Sequence, residues 1–286
     1  MHYVNSKSIL SGQNGMNLYR GCSHGCIYCD SRSEIYGMNH LFEDIEVKEN
    51  SLELLKKELI KRPKSMIGCG SMSDPYIPLE KNIKFTRKAL ELIDRYGFGF
   101  TCITKSDLIL RDLDLLKKIN EKSKVVVQIT LTTSDDELCR ILEPNVCDTS
   151  RRVDVLKILN DNDIPTVVWL CPILPFINDN EENINSILDY CIDNNVHGVV
   201  CFEMGLTLRD GNREYFYEKL NQHFPGLREK YITKYGNNYN LLSPNNHKLM
   251  NIFKKRTSEH GILNNNDEIF GYLSDFPQKS VQSKLI

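Results

Sequence analysis

Three cysteines, Cys22, Cys26 and Cys29, fall within eight residues of one another. This close spacing lets a single loop wrap a compact metal centre, and Gly21 and Gly25 supply the backbone freedom that a tight wrap requires. Thiolates are soft ligands that favour zinc, copper(I) or an iron–sulfur cluster. An iron–sulfur cluster normally has four thiolate ligands, so three cysteines leave one iron able to bind a group from outside the protein.

Structural zinc is the main alternative for this motif, with His24 as the fourth ligand. Closed zinc sites usually take their ligands from two separated segments of the chain, whereas these three cysteines lie in one segment. His24 is also very close in sequence to the neighbouring cysteines. The spacing therefore favours an open metal centre over a closed zinc site.

The other seven of the ten cysteines are single. Ten cysteines in 286 residues are far below the roughly 8–10% typical of a disulfide scaffold. In a reducing compartment they remain thiols or metal ligands, and a single cysteine in an apolar run usually behaves as a small buried hydrophobe. The seven are Cys69, Cys102, Cys139, Cys147, Cys171, Cys191 and Cys201.

The bulk composition is that of a soluble globular protein, with 41% hydrophobic and 26% charged residues. The 36 basic and 38 acidic residues give a net charge of −2, so no strong overall field favours a nucleic acid or a membrane. No apolar run approaches the ~18 residues that a membrane-spanning helix needs. Residues 1–10 lack the pattern of a secretory signal, which predicts a cytoplasmic location.

Short apolar runs alternate with longer stretches of helical periodicity, a pattern typical of βα units around a parallel sheet. Six such units are too few for a complete eight-stranded barrel, and they predict an α/β fold with a partial barrel or an open sheet. We predict a core over residues 12–222 and a small helical extension over residues 223–286. The predicted strands are residues 17–20, 65–69, 98–104, 125–131, 166–171 and 198–202. The predicted helices are residues 52–62, 81–96, 111–121, 150–160, 181–194, 212–222 and 248–259.

The string Cys22-x-x-x-Cys26-x-x-Cys29, with Tyr28 before its last cysteine, resembles the motif of the radical S-adenosylmethionine superfamily. The wider string NLYRGCSHGCIYCD, at residues 17–30, is similar to the spore photoproduct lyase-like branch, also called DNA repair photolyase-like. Further similar strings are GSMSDPY at 70–76, TKS at 104–106, LRD at 110–112, LEP at 142–144 and RR at 151–152. The resemblance covers about residues 12–205.

The resemblance implies a partial (β/α)6 barrel of TIM type, with a 4Fe–4S cluster held by Cys22, Cys26 and Cys29. The fourth iron would chelate the amino and carboxylate groups of S-adenosylmethionine. An electron from a donor such as flavodoxin or ferredoxin would then cleave the bond to the 5′ carbon, giving a 5′-deoxyadenosyl radical that abstracts hydrogen from the substrate. The branch suggests a substrate related to nucleic acid. Radical modification of a peptide or small metabolite is one alternative, and a zinc or iron–sulfur binding module without turnover is another.

Polar residues follow the predicted strands, where the chemistry of barrels is located. Ser71, Ser73 and Asp74 follow the second strand, and Asp74 and Ser73 are predicted to bind the ammonium group of S-adenosylmethionine. Lys105 and Ser106 follow the third strand and are predicted to bind its carboxylate. Ordinary turn formation before Pro75 and solvation of Lys105 are the alternative explanations.

Arg151, Arg152 and Tyr28 complete the predicted cofactor side. Both arginines begin a predicted helix, where the macrodipole disfavours a cation by roughly 0.3–1 kcal/mol and a bound anion would offset that cost. An exposed basic turn is the alternative for both. Tyr28 is predicted to contact the adenine, to lie near the path of the radical, or to shield the cluster from water.

Photoproduct lyases are expected to need a cysteine hydrogen donor near the end of the second strand, in a string resembling Cys-Thr-Ser-Asp. The aligned string here begins with Ser71, whose O–H bond is too strong to replace a thiol. Cys69 lies two residues earlier and, in a regular strand, on the same face, so it is the predicted catalytic replacement; Cys102 is another candidate. Asp30 also stands where such a lyase has a second tyrosine. These departures predict that the protein does not repair thymine photoproducts.

Overall fold

The computed structural model describes residues 1–277 of the chain. The strands are β1 (His2–Val4), β2 (Gly15–Met16), β3 (Tyr19–Arg20), β4 (Glu46–Lys48), β5 (Met66–Cys69), β6 (Gly99–Thr104), β7 (Val125–Thr130), β8 (Thr166–Trp169), β9 (Gly198–Val200), β10 (Gly205–Thr207) and β11 (Asn240–Leu242). The α-helices are α1 (Ser51–Lys61), α2 (Glu80–Ile83), α3 (Phe85–Tyr96), α4 (Leu113–Lys122), α5 (Asp136–Leu142), α6 (Thr149–Asn160), α7 (Glu181–Asp193), α8 (Asn212–His223), α9 (Leu227–Tyr235), α10 (Asn246–Glu259) and α11 (Asn266–Ser274).

Six parallel strands form the central sheet in the order β2-β5-β6-β7-β8-β9. Neighbouring strands are consecutive βα units along the chain, and this succession is the topology of a partial TIM-type barrel. All six residues of β7 are buried, as expected for a parallel strand that is covered on both faces. The predicted α/β partial barrel is therefore confirmed. No helix within residues 1–277 is both long and apolar enough to cross a lipid bilayer.

The first predicted strand, residues 17–20, is wrong in its position. The sheet uses Gly15–Met16, which pairs with β5, and Met16 is buried in the core. Tyr19–Arg20 instead pairs antiparallel with β4 in a separate small sheet of order β1-β4-β3. Both strands are only two residues long, so periodicity alone does not separate them.

The predicted helix over residues 81–96 is interrupted at Lys84, which has a left-handed conformation with φ of 55°. The interruption leaves the first backbone amides of α3 in need of an acceptor. The buried carboxylate of Glu80 accepts the Thr86 N–H at 2.6 Å, and Arg111 donates to the same carboxylate at 3.0 Å. The next helix begins at Leu113 because Asp107–Asp112 forms a 3-10 helix instead.

The chain after α8 contributes more than helices. Strand β11 pairs antiparallel with β10, while α10 packs on α7 through Arg256, which donates to Asp189 at 2.6 Å. The two-stranded sheet of β10 and β11 joins the two sides of the predicted domain boundary at residues 222 and 223. That domain division stays a prediction. Residues 278–286 of the predicted extension lie outside the described residues.

Gly70 ends β5 at a point that no other residue fits. Its φ is +101°, and a Cβ atom added there would lie 2.2 Å from the carbonyl oxygen of Ile103. The chain therefore leaves the regular strand geometry directly after Cys69. Gly97, which ends α3, also has a positive φ of +67°, but a Cβ atom there would meet nothing within 4 Å.

Substitution of these two glycines separates strain from steric overlap. We expect Gly97→Ala to lower the free energy of unfolding by about 1–2 kcal/mol, the usual penalty of a left-handed alanine. Gly70→Ala should lower it by roughly 1–3 kcal/mol more, because the added methyl group overlaps a carbonyl. Urea denaturation measures both values. Equal losses in the two variants would contradict the close approach of Gly70 to Ile103.

Candidate active site

A cavity of about 650 Å³ lies at the carboxyl ends of the parallel strands. This volume is within the range of roughly 300–1,000 Å³ that small-molecule sites occupy, and its position is the one at which barrel enzymes carry their chemistry. Its lining includes most of the predicted site residues, namely Cys22, Cys26, Cys29, Tyr28, Ser71, Ser73, Asp74 and Lys105. The structure thus brings residues from three separate sequence segments to one cavity.

The loop that carries the three cysteines is held by close backbone contacts. Gly21 has a φ of +85°, and a Cβ atom there would lie 2.5 Å from the carbonyl oxygen of Phe42. The Cys22 N–H donates to that same carbonyl at 3.1 Å. On the other side, the Ser73 hydroxyl donates to the carbonyl of Gly21 at 2.5 Å. Gly21 is therefore clamped between the segment of Phe42 and the loop after β5.

The three thiols are not gathered around one point in the structure. Within residues 1–277, their sulfur atoms do not all lie within 4.8 Å of one another. Tetrahedral zinc, with Zn–S bonds of about 2.3 Å, requires sulfur atoms roughly 3.8 Å apart. The wider spacing fits a centre of several metal atoms better than a single zinc ion. His24, the fourth ligand of the zinc alternative, is buried with Nδ1 3.5 Å from an oxygen of Asp74.

The surroundings of the thiols fit a positively charged centre and a polar ligand. Burial, followed by the charges of Asp74 and Cys29, raises the pKa of Cys22 to about 12, and burial also raises the pKa of Cys26. Metal coordination removes the thiol proton that this environment otherwise retains. The buried Thr130 hydroxyl also lines the cavity, and within the described residues it has no hydrogen-bond partner. A bound polar group would satisfy it.

Asp74 ties the loop after β5 to the end of β6. Its carboxylate accepts the Tyr76 N–H at 2.8 Å, the Thr104 hydroxyl at 2.8 Å and the Lys105 N–H at 2.9 Å. These contacts occupy most of the acceptor positions of a carboxylate. The contact of Asp74 with a ligand's ammonium group stays a prediction, and the structure adds a positioning role that the sequence pattern did not indicate.

A buried ion pair lies beneath the cysteine loop. The guanidinium of Arg152 is 2.5 Å from the carboxylate of Glu143, and their side chains are only 1% and 0% exposed. The Tyr28 hydroxyl donates to the other oxygen of Glu143. Arg152 also donates to the carbonyls of Cys147 at 3.0 Å and Thr130 at 3.1 Å. Burial and the charge of Glu143 raise the pKa of Tyr28, so its phenol remains protonated.

The prediction that Arg152 meets a bound anion on the cofactor side is wrong, because its anion is Glu143 inside the protein. Arg151 points to solvent and pairs with Asp107 at 3.0 Å. It is not among the described residues that line the cavity, and neither is Ser106, whose hydroxyl accepts the Leu108 N–H. The predicted roles of Arg151 and Ser106 as cofactor ligands stay predictions, without support from their positions.

The cavity thiol outside the cysteine loop is Cys171, which the sequence reasoning missed. Cys69 and Cys102 pair side by side in the core, and neither is among the described cavity-lining residues. The expected placement of Cys69 on the face of Ser71 fails because Gly70 ends the regular strand between them. Cys171 follows β8 and lines the cavity, and burial raises its pKa to about 12. The strand-end rule that selected Ser71 applies equally to Cys171.

A family model of the radical SAM superfamily, in which SAM is S-adenosylmethionine, matches residues 16–188, more than half of the chain. The chain belongs to the radical SAM superfamily. An uncharacterized protein of Methanocaldococcus jannaschii is 35% identical over 180 residues, which are 62% of this chain and 67% of that protein. An uncharacterized protein of Mycobacterium tuberculosis is 28% identical over 228 residues, which are 77% of this chain and 66% of that protein.

Spore photoproduct lyases are similar in fold. A structure of spore photoproduct lyase complexed with dinucleoside spore photoproduct aligns over 92% of this chain and 80% of that chain, with a TM-score of 0.64 and 13% identity. A mutant of spore photoproduct lyase aligns over the same shares with a TM-score of 0.66 and 14% identity. At this level of identity the likeness shows the shared radical SAM barrel fold alone.

The two neighbouring arginines allow a direct test of the buried ion pair. We expect Arg152→Met to lower the free energy of unfolding by about 3–5 kcal/mol, because Glu143 would lose its buried counterion. Arg151→Met removes an ion pair whose arginine side chain is 44% exposed, and should cost less than about 1 kcal/mol. Chemical denaturation of both variants measures the difference. Similar losses in the two variants would be inconsistent with the ion pair described above.

Proposed function

We propose that this protein holds a 4Fe–4S cluster through Cys22, Cys26 and Cys29 and reductively cleaves S-adenosylmethionine. The supporting observation is that three free thiols of one short loop line a cavity of about 650 Å³ at the carboxyl ends of the barrel strands. Together the bound cluster and S-adenosylmethionine supply a 5′-deoxyadenosyl radical that abstracts hydrogen from a substrate.

Lys105 is the residue we propose for binding the carboxylate of S-adenosylmethionine. Burial alone lowers its pKa, but the charges of Cys26 and Glu143 raise the pKa above the ordinary lysine value. Lys105 therefore remains a cation in the cavity and can bind an anionic group. Ser73 and Asp74, which hold the cysteine loop and the end of β6, fix the wall beside it.

Tyr28 is proposed to shield the metal centre from water. Its hydroxyl is anchored by Glu143, and Nζ of Lys105 lies 5.8 Å from the centre of its ring. The ring lines the cavity together with Cys26 and Cys29. An aromatic ring in this place lowers the local exposure to solvent, which is one of the factors that set a cluster's potential.

Removal of single cluster ligands tests the proposal. We expect Cys22→Ala, Cys26→Ala and Cys29→Ala each to abolish formation of 5′-deoxyadenosine after anaerobic reconstitution with dithionite as reductant. Cys191→Ala is the matched control, because Cys191 is buried in α7 and outside the cavity lining, and its activity should be unchanged. Iron and sulfide analysis accompanies the assay. Undiminished cleavage in any of the three variants, or a colourless zinc protein, would refute the assignment.

Repair of spore photoproduct is not the function that we propose. Ser71 lines the cavity where such a lyase is expected to have its cysteine, and Cys69 lies in the core instead. Cys171 is a thiol in the cavity, but it follows β8 on the far side of β6 and β7 from Ser71. A hydrogen donor there would approach a substrate from a different direction.

The photoproduct prediction can be measured directly. In DNA that contains spore photoproduct, incubated anaerobically with reconstituted protein, S-adenosylmethionine and dithionite, conversion of the photoproduct to thymine residues should not exceed the level without protein. Formation of 5′-deoxyadenosine in the same reaction is the control that the protein is active. Stoichiometric return of thymine would overturn this part of the proposal.

The cavity lining favours a peptide or a small metabolite over a nucleic acid as substrate. Among the described lining residues, Lys105 is the sole lysine or arginine, and Arg151 and Arg152 do not extend it into a basic track. Binding of a nucleic acid depends on several phosphate contacts from lysine and arginine.

A one-electron donor such as flavodoxin or ferredoxin is the proposed partner, and the cytoplasm is the proposed location.

A further inference from the structure

We propose that His2, His40 and Glu46 form a second metal site, which binds one zinc(II) ion behind the cysteine loop. Each residue offers one ligand atom, and the three atoms lie within 4.8 Å of one another. Two histidines with one carboxylate are a zinc-binding set that leaves a fourth position for water. The three residues lie on the small sheet of β1, β4 and β3 or in the loop before β4, away from the cavity.

The hydrogen bonds of both imidazole rings leave Nε2 as the nitrogen available for coordination. Nδ1 of His2 is 3.0 Å from an oxygen of Asp44, and Nδ1 of His40 is 3.0 Å from the carbonyl oxygen of Leu41. Both partners only accept hydrogen bonds, so each Nδ1 carries the hydrogen and each Nε2 is the nitrogen with a free lone pair in the neutral ring. Zinc-bound histidines show this same arrangement, with the second nitrogen donating to a carboxylate or a backbone carbonyl.

The contact between His40 and Glu46 requires a positive charge. Nε2 of His40 lies 2.8 Å from Oε1 of Glu46. In the neutral ring two lone pairs would face each other there, so either a proton on Nε2 or a metal ion must lie between or beside them. The ring of His2 stands edge-on to that of His40, with the ring centres 4.9 Å apart. This places a second imidazole beside the same carboxylate.

Arg20 is a nearby cation that could compete with a metal ion for the carboxylate of Glu46. Its Nη1 is 3.8 Å from Oε1 of Glu46, beyond hydrogen-bond distance. Its Nη2 instead donates to the carbonyls of Tyr36 at 2.7 Å and Gly37 at 2.9 Å. The carboxylate of Glu46 therefore remains available to a metal ion.

A metal ion here would brace the loop that holds the cysteines. It would join β1, β4 and the loop of His40, and so add a direct link to the strand pairing that connects β1 with β4. Phe42 lies in the chain segment between His40 and Glu46, and its carbonyl accepts the Cys22 N–H at 3.1 Å. Zinc would thus fix the segment against which the first cluster cysteine is hydrogen-bonded.

The test is zinc retention by the full chain, purified without an affinity tag and reconstituted anaerobically so that iron and sulfide occupy the cysteines. After addition of zinc chloride and gel filtration, we expect one zinc per chain in the unaltered protein. His40→Ala and Glu46→Gln should each reduce this at least tenfold, while His260→Ala, an exposed histidine after α10, should not change it. Asp44→Ala removes the acceptor of His2, a carboxylate that also pairs with the N-terminal ammonium at 2.8 Å, and should weaken zinc affinity by about 10–100-fold in competition with a chromophoric chelator.

The thermal midpoint of unfolding is a second readout, which distinguishes loss of zinc binding from misfolding of a variant. Zinc should raise the thermal midpoint of the unaltered protein and of His260→Ala, but not that of His40→Ala or Glu46→Gln. Zinc content that is equal in Glu46→Gln, His40→Ala and the unaltered protein would overturn the proposal, because that zinc would belong to another site. A zinc-free unaltered protein would overturn it as well, and would leave a protonated His40 paired with Glu46.

Discussion

The buried ion pair of Glu143 and Arg152 is the constraint that holds together the segments beside the cysteine loop. Moving two charges out of water is costly, and the cost is offset only where every remaining donor and acceptor is satisfied. Here the carboxylate takes the Tyr28 hydroxyl, and the guanidinium donates to the carbonyls of Thr130 and Cys147. This pair therefore constrains the positions of three elements relative to one another: the cysteine loop, the end of β7 and α6. A different arrangement would leave a buried charge without its partner.

A second polar junction repeats this logic one strand away. Asp74 receives donors from its own loop and from the end of β6, and the Ser73 hydroxyl holds Gly21 in place. Both junctions fix backbone at the carboxyl ends of strands, where loops would otherwise be free to move. The cysteines are thus positioned by contacts from β5, β6 and β7, and a pre-organised site of this kind needs little rearrangement when its ligands bind.

The sequence predicts the fold well wherever burial is continuous and the strands are long. The predicted strand at residues 125–131 is confirmed as β7, Val125–Thr130, in which every side chain is buried between layers. The two-residue strands β2 and β3 carry no such signal, and neither does Lys84, whose left-handed conformation divides a single predicted helix into α2 and α3. The interruption depends on Glu80 and Arg111, a long-range pair that local periodicity does not contain.

The site is predictable to a similar degree, and the errors have physical causes. Strand-end position and residue type lead to the cysteines, Ser71, Asp74 and Lys105, all of which line the cavity. The predicted role of Arg152 is wrong because the sequence does not show that its anion, Glu143, belongs to the protein itself. The position of Cys69 is predicted wrongly because Gly70 ends the regular strand. Cys171 is overlooked because it follows an apolar run, although the strand-end rule applies to it as well as to Ser71.

The far side of the cavity is built from residues beyond the superfamily match, which ends at residue 188. Phe202 and Glu203 follow β9, and Tyr239 and Leu242 come from the strand β11 region of the C-terminal extension. Phe202 and Tyr239 are 56% and 44% exposed, so two aromatic rings stand at the rim. The cysteine side lies within the superfamily match, whereas this rim is the part of the cavity that faces solvent. If the proposed chemistry holds, we infer that the paired strands β10 and β11 and their neighbours contact the substrate, because exposed aromatic rings can select a molecule by shape and stacking.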